Sequence, residues 1–191
     1  NIEDEKLKKC LSDITVQEAI VDLLSKEIGR LTVESKEEVF KQGEFKLSQI
    51  EPFTWRRKRI RCKKTVFNFV TVYNDFEADF AKLLDKSEEI EKFAALANNF
   101  SIDYFSSRGA IRFYFPDFVA VQKVNNKKIN WIIETKGREY EDTDKKDAAI
   151  KKWCEDMTNQ TKQEWRYLKV MQSMFNSLKP RTFSEILKAI D

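Results

Sequence analysis

The sequence predicts an α/β fold: a mixed central sheet flanked by helices, preceded by a mainly helical N-terminal segment. Two observations carry that expectation. Between residues 74 and 171 the patterning runs helix, strand, strand, strand, helix, strand. The chain has 191 residues, 41% of them apolar, enough for one good core with a small appended module. The expected division is 1–64 for the helical or linker segment and 65–191 for the α/β domain.

The elements follow in order. In "TVQEAIVDLLSKEIGRL", Val16, Ala19, Ile20, Leu23, Leu24 and Ile28 recur at spacings of three and four, an amphipathic helix. Thr15 with Glu18 three residues on predicts a capping box. "VESKEEVFKQGEF" is polar and predicts a short helix or a connection. In "TWRRKRIRCKKTVFNFVTVY", seven of the nine residues from Arg56 to Lys64 are Lys or Arg, and a strand-like run rich in Val, Phe and Thr follows. The basic run reads either as an edge protected by charge or as a phosphate-contact surface. Position alone favours neither.

"NDFEADFAKLLD" places Phe76, Phe80, Leu83 and Leu84 on one helical face. "SEEIEKFAALANN" predicts a continuing helix, with Ile90, Phe93, Ala94 and Leu96 inward and Ser87 as cap. "SIDYFSS" reads as a short strand and Gly109 as a turn. "IRFYFPDFVAVQ" reads as one strand in which Pro116 implies an edge, a bulge or a strand end. "VNNKK" then turns into "INWIIETKG", a hairpin. "KKDAAIKKWCEDM" predicts a helix with Ala149, Ile150, Trp153, Cys154 and Met157 inward and its lysines outward. "EWRYLKVM" is a strand, and "TFSEILKAI" a closing helix behind a Thr182–Glu185 capping box. Trp153, Trp165 and Tyr167 are expected in the core. Arg112 and Tyr114 lie in the strand that leads to Pro116, as support or as phosphate contacts.

Composition removes whole classes of function. The chain has no histidine, which excludes Ser-His-Asp and Cys-His nucleophilic schemes and histidine zinc sites. Cys10, Cys62 and Cys154 form no CxxC pair, so neither a disulfide framework nor a cysteine zinc site is expected. Reduced thiols in a cytoplasmic protein are the simple expectation. Neither GxGxxG nor GxxxxGK[ST] occurs among its four glycines. No apolar run is long enough to span a membrane, and no signal peptide opens the chain. Charged residues make up 35% of the chain, but both signs are interspersed and the net charge is only +3. The chain opens on Asn1, as expected of a piece of a longer protein.

The chemistry concentrates in "WIIETKG". Glu134 and Lys136 are two apart on a strand and so share a face. A hairpin can set Asp117, just after Pro116, beside Glu134. Two carboxylates that close repel each other, and one takes a raised pKa unless a cation lies between them. Mg²⁺, with Mn²⁺ as a substitute, suits one or two carboxylates plus water and phosphate oxygens, and the Thr135 carbonyl can add a ligand. Lys136 then stands where it can orient or help deprotonate an attacking water, or offset charge on a phosphoryl transition state. Phosphodiester hydrolysis of this kind needs no histidine. A lone Glu-x-Lys is more often a surface ion pair; the Pro-Asp on the hairpin partner is what raises it above that reading.

"FPDFV", a hairpin and "IIETKG" resemble the motif of the PD-(D/E)XK nuclease superfamily, whose core is the restriction-endonuclease-like αβββαβ arrangement. "NDFEADFAKLL", "FYFPDFV", "WIIETKG", "KKDAAIKKWC" and "WRYLKV", in this order over residues 65 to 175, resemble the C-terminal endonuclease domain of type III restriction enzyme Res subunits. The resemblance implies that Asp117 and Glu134 are catalytic metal ligands, Thr135 a further ligand, and Lys136 the catalytic lysine. It adds Glu77 from the first core helix, ahead of Asp79. It implies a DNA endonuclease that follows a helicase motor, with ATP used only by that motor. Its partners would be double-stranded DNA, a DNA-methyltransferase or specificity subunit, and a second copy for double-strand cleavage, in a nucleoid-associated, bacterial-type cytoplasm. Arg56, Arg57, Lys58 and Arg59, with Lys145 and Lys146 near a helix start, are candidate DNA contacts. The alternatives are a catalytically silent DNA-binding module on a helicase motor, or a nuclease of the same superfamily in DNA repair.

Overall fold

The computed structural model describes residues 5, 9, 11–34, 54–96, 100–106, 111–138 and 143–190. In chain order the elements are α1 (Ile14–Glu34), β1 (Arg59–Ile60), β2 (Val70–Thr71), α2 (Asp75–Lys86), β3 (Ile90–Ala95), β4 (Ile102–Phe105), β5 (Ile111–Tyr114), β6 (Phe118–Val124), β7 (Lys127–Lys136), α3 (Thr143–Thr161), β8 (Glu164–Met171), α4 (Gln172–Leu178) and α5 (Phe183–Ile190). They fall into two compact units, residues 1–50 with 103–113, and residues 51–102 with 114–191.

In the first unit α1 forms where the spacing predicts it. Its cap is Asp13, not the expected Thr15–Glu18 box: the Asp13 carboxylate accepts the Thr15 N–H at 2.9 Å and also the Thr15 hydroxyl. Aspartate caps better than threonine, and Asp13 immediately precedes the helix whereas Thr15 lies within it. Ile20, Leu23, Leu24 and Ile28 of the predicted stripe are exposed. All but the first two residues of "VESKEEVFKQGEF" lie outside the described residues, as does Gly109.

The second unit is built on a four-stranded sheet, β3-β6-β7-β8. β3–β6 and β6–β7 are antiparallel, and β7–β8 is parallel, so α3 supplies the crossover. α2 and α5 cover one face, meeting Phe93, Phe118, Trp131 and Ile133 in the main core. Phe80 packs on Phe118 at 5.7 Å, and Trp131 on Phe183 at 5.6 Å. α3 packs against β8 through Ile150 and Cys154. Covered on both sides, β7 reads as a continuous apolar run from Trp131 to Ile133 rather than an alternating one.

Several expectations are corrected here. Residues 90–95 are strand β3, not a second helix, and Ser87 is the C-cap of α2. A bulge between Ile90 and Lys92 breaks the strand's two-residue period, leaving apolar positions at helix-like spacing. The expected long strand over "VFNFVTVY" is confined to β2, which pairs with β1 as a two-stranded ribbon. β4 and β5 form their own two-stranded hairpin outside the main sheet, so the first core strand is β3 and not "SIDYFSS". In "IRFYFPDFVAVQ" Pro116 marks a strand end, one of the three expected readings, and separates β5 from β6. α4 has no counterpart in the sequence expectation.

Candidate active site

β6 and β7 turn on Asn125 and Asn126, both at positive φ (47° and 66°). A two-residue turn of that hand locks the register of the hairpin. Phe118 therefore faces Ile133, and one step further Asp117 comes beside Glu134. Pro116 has no N–H and ends the strand, so the regular ladder stops there. The Asp117 N–H still reaches the Ile133 carbonyl at 3.1 Å. Beyond it the Asp117 side chain takes over: Oδ2 accepts the Thr135 N–H at 2.7 Å and the Thr135 hydroxyl at 2.6 Å. Both bonds fall on one oxygen, and Oδ1 is uncommitted among the described residues. The N–H and C=O of a strand residue leave on the same edge, so the Thr135 carbonyl faces the Asp117 side too.

Glu134 is 7% exposed. Its Oε1 accepts Lys136 Nζ at 3.1 Å, while Oε2 is buried without a hydrogen-bond partner. Burial first, and the Asp117 charge second, push the Glu134 carboxyl up to about 7. Burial also raises Asp117, against the opposing pull of the Thr135 bonds and of Lys136. The Tyr114 hydroxyl lies near enough to favour the charged form of Glu134, yet it meets no partner at hydrogen-bonding distance and angle. Two buried carboxylates with an orphaned oxygen between a lysine and a tyrosine make a hard, anionic donor set. That set fits a divalent cation such as Mg²⁺. Among the described residues no three Asp, Glu, Cys or His side chains converge closely enough to hold a metal by themselves. Any cation here needs a backbone, water or substrate oxygen to complete its shell.

Glu77 lies at the start of α2 and is buried. Asn74 caps the helix by accepting the Glu77 N–H at 2.8 Å, and Glu77 reaches back, accepting the Tyr73 N–H at 2.7 Å and Asn74 Nδ2 at 2.6 Å. This is a reciprocal cap that leaves neither oxygen bare. Glu77 and Asp117 nevertheless line one cavity of about 40 Å³ with Thr71, Tyr73 and Phe115. Burial is the main cause, and the Asp117 charge a lesser one, of the raised Glu77 pKa. Asp79 is exposed and pairs with Lys82 at 2.8 Å, away from these groups.

The basic candidates divide. Arg57 and Arg59 lie over the rings of Tyr73 and Phe69. Lys58 pairs with Asp75, and Arg56 is exposed. Lys145 and Lys146 sit in the first turn of α3. Three further residues carry no mark in the motif. Asp147 of α3 accepts the Tyr167 hydroxyl at 2.9 Å and Lys169 Nζ at 2.6 Å, and Lys169 is the register partner of Glu134 on β8. Tyr167 and Lys169 alternate with buried Leu168 and Val170, a period of two that could have placed them on the Glu134 face. A larger cavity of about 490 Å³ is lined by Trp131, Cys154, Trp165 and Leu187. Tyr167 also lines it, but it holds no converging carboxylates.

No curated protein and no solved structure matches the chain at a significant level. A family sequence model described as an endonuclease domain matches residues 63–174, more than half of the chain. The order α2, β3, β6, β7, α3, β8 is the restriction-endonuclease-like arrangement of a mixed sheet between helices. The match over more than half of the chain, on this fold, shows that the chain belongs to the endonuclease domain family.

Proposed function

We propose that this endonuclease domain is a divalent-cation-dependent DNA endonuclease of the type III restriction helicase-nuclease kind. The observation that carries the reading is the buried Asp117–Glu134 pair with its orphaned Glu134 Oε2. The domain context is supported by the ordered motifs that resemble Res subunits. Asp117, Glu134 and the Thr135 carbonyl would hold Mg²⁺, with Mn²⁺ able to replace it. When bound, the cation polarises the phosphate and lowers the pKa of its water. Thr135 fixes the Asp117 carboxylate through two bonds, so that group is already oriented before DNA arrives. Lys136, itself largely buried, is held by Glu134 at the rim and brings a positive charge toward the attacked phosphate. The cavity beside Asp117 has room for an ion and a few waters, not for a nucleotide, so the substrate must lie across its mouth. A motor elsewhere would use the ATP, partner subunits would supply sequence specificity, and two copies would be needed to cut both strands.

Nicking of supercoiled plasmid tests this directly. The wild type should nick with Mg²⁺ or Mn²⁺ and not in chelator. Asp117→Asn and Lys136→Ala should each lower the rate by about 10²-fold or more. A wild-type chain inert with both metals, even within a DNA-translocating complex, would leave only the silent DNA-holding role.

A further inference from the structure

The ribbon β1–β2 has two unlike faces. Its register pairs Arg59 with Thr71 and Ile60 with Val70. Continued in both directions, that register sets Arg57 opposite Tyr73 and Arg61 opposite Phe69. One face carries Ile60, Val70 and Val72 and packs into the main core. The other carries Arg57, Arg59, Arg61, Phe69, Thr71 and Tyr73.

On that second face every guanidinium rests on a ring. Arg57 lies 4.9 Å from the Tyr73 centroid, Arg59 is 4.9 Å from Phe69, and Arg61 is 5.5 Å from Phe69. Trp55 braces the Tyr73 ring edge-on at 5.1 Å. No carboxylate pairs with these three arginines among the described residues. Stacking fixes the plane of a guanidinium while leaving its N–H edge available, and that edge matches phosphate oxygens two at a time. The neighbouring basic residues differ, since Arg56 and Lys58 alternate to the opposite side and Lys58 is tied to Asp75.

The face also leads to the acids. Thr71 and Tyr73 line the cavity that contains Asp117 and Glu77, and Glu77 accepts the Tyr73 N–H. A row of three oriented cations thus ends beside the cavity that Asp117 lines. We infer that Arg57, Arg59 and Arg61, braced by Phe69 and Tyr73, form a track for the sugar–phosphate backbone of the DNA strand whose scissile phosphate meets Asp117 and Glu134. The identity of the ligand rests on the nuclease reading; the track itself rests on the ribbon.

Binding of a short labelled DNA duplex of arbitrary sequence, followed by fluorescence anisotropy over a salt series in chelator, tests it. Arg57→Ala/Arg59→Ala/Arg61→Ala should lower the slope of log affinity against log salt by about 2 to 3, since each phosphate contact contributes roughly 0.9. Arg56→Ala/Lys58→Ala should lower it by much less. The triple Arg→Lys variant keeps the charge and loses the stacked fork, and should bind more weakly than wild type. Slopes equal to wild type in the triple Ala variant, an equal loss in the Arg56/Lys58 variant, or full affinity in the triple Lys variant would each overturn the track. Circular dichroism and Ca²⁺-induced thermal shifts check that the variants keep the fold and the acid pair. Wild-type plasmid nicking is read alongside. Nicking with an unchanged slope removes the track and keeps the nuclease; slope loss without nicking does the reverse.

Discussion

At the scale of single residues, the candidate site is defined by buried carboxylates that the chain's own groups leave poorly satisfied. The folded Glu134 carboxyl holds its proton up to about 7, against an ordinary value of 4.5. Between those values the folded chain retains a proton that the unfolded chain loses. Stability should therefore fall as pH rises through this window, and the loss should persist above it. Urea midpoints at about pH 5 and about pH 7 should differ less in Glu134→Gln than in wild type. If the pair holds a cation, added Ca²⁺ should stabilise the wild type increasingly as pH rises, since only ionised carboxylates would ligate it. If the two chains show the same pH dependence, Glu134 is not the group that titrates. Tyr114 offers a second case. Its hydroxyl is buried and unbonded, so Tyr114→Phe should leave stability within about 1 kcal/mol of wild type or raise it, because no net hydrogen bond is lost. A larger loss in denaturant titration would mean that the hydroxyl has a partner in solution.

At the scale of elements, two ends of α2 hold the candidate-site side of the unit together. The Asn74–Glu77 cap ties the helix start to Tyr73, and Asn74→Ala should cost about 1 kcal/mol in equilibrium unfolding. At the other end Ser87 Oγ donates to the Leu83 carbonyl and accepts the Phe183 N–H at 2.9 Å, joining α2 to α5. Ser87→Ala strands that buried N–H and should cost about 1 to 3 kcal/mol. A neutral result would show that α5 finds another acceptor. The sequence reads α2, β6, β7, α3, β8 and α5 correctly because each has strong periodicity or an unambiguous turn. It misreads β3 because Ile90, Phe93 and Ala94 around a bulge imitate a helix. Asp117, Glu134 and Lys136 are legible because the hairpin count is set by Asn125–Asn126. Asp147 and Lys169 are not, since their meeting depends on how α3 crosses to β8, which local patterning does not specify.

At the scale of the whole molecule, the described residues contain one such acid pair, so a single chain should cut one strand at a time. Nicked circles should accumulate before linear plasmid, and the second step should accelerate with enzyme concentration more steeply than the first. Linear product appearing directly at low enzyme concentration would contradict this. The hairpin carries a separate consequence for anyone modifying the protein. Asp117 and Glu134 lie equally far along its two arms, so adding or removing a residue in either arm turns one acid to the opposite face. With about 3.3 Å per residue over eight residues, the tip stands roughly 26 Å from the acids. Asn125 and Asn126 thus stand far from the acids and still govern them, because their turn sets the register that brings Asp117 beside Glu134.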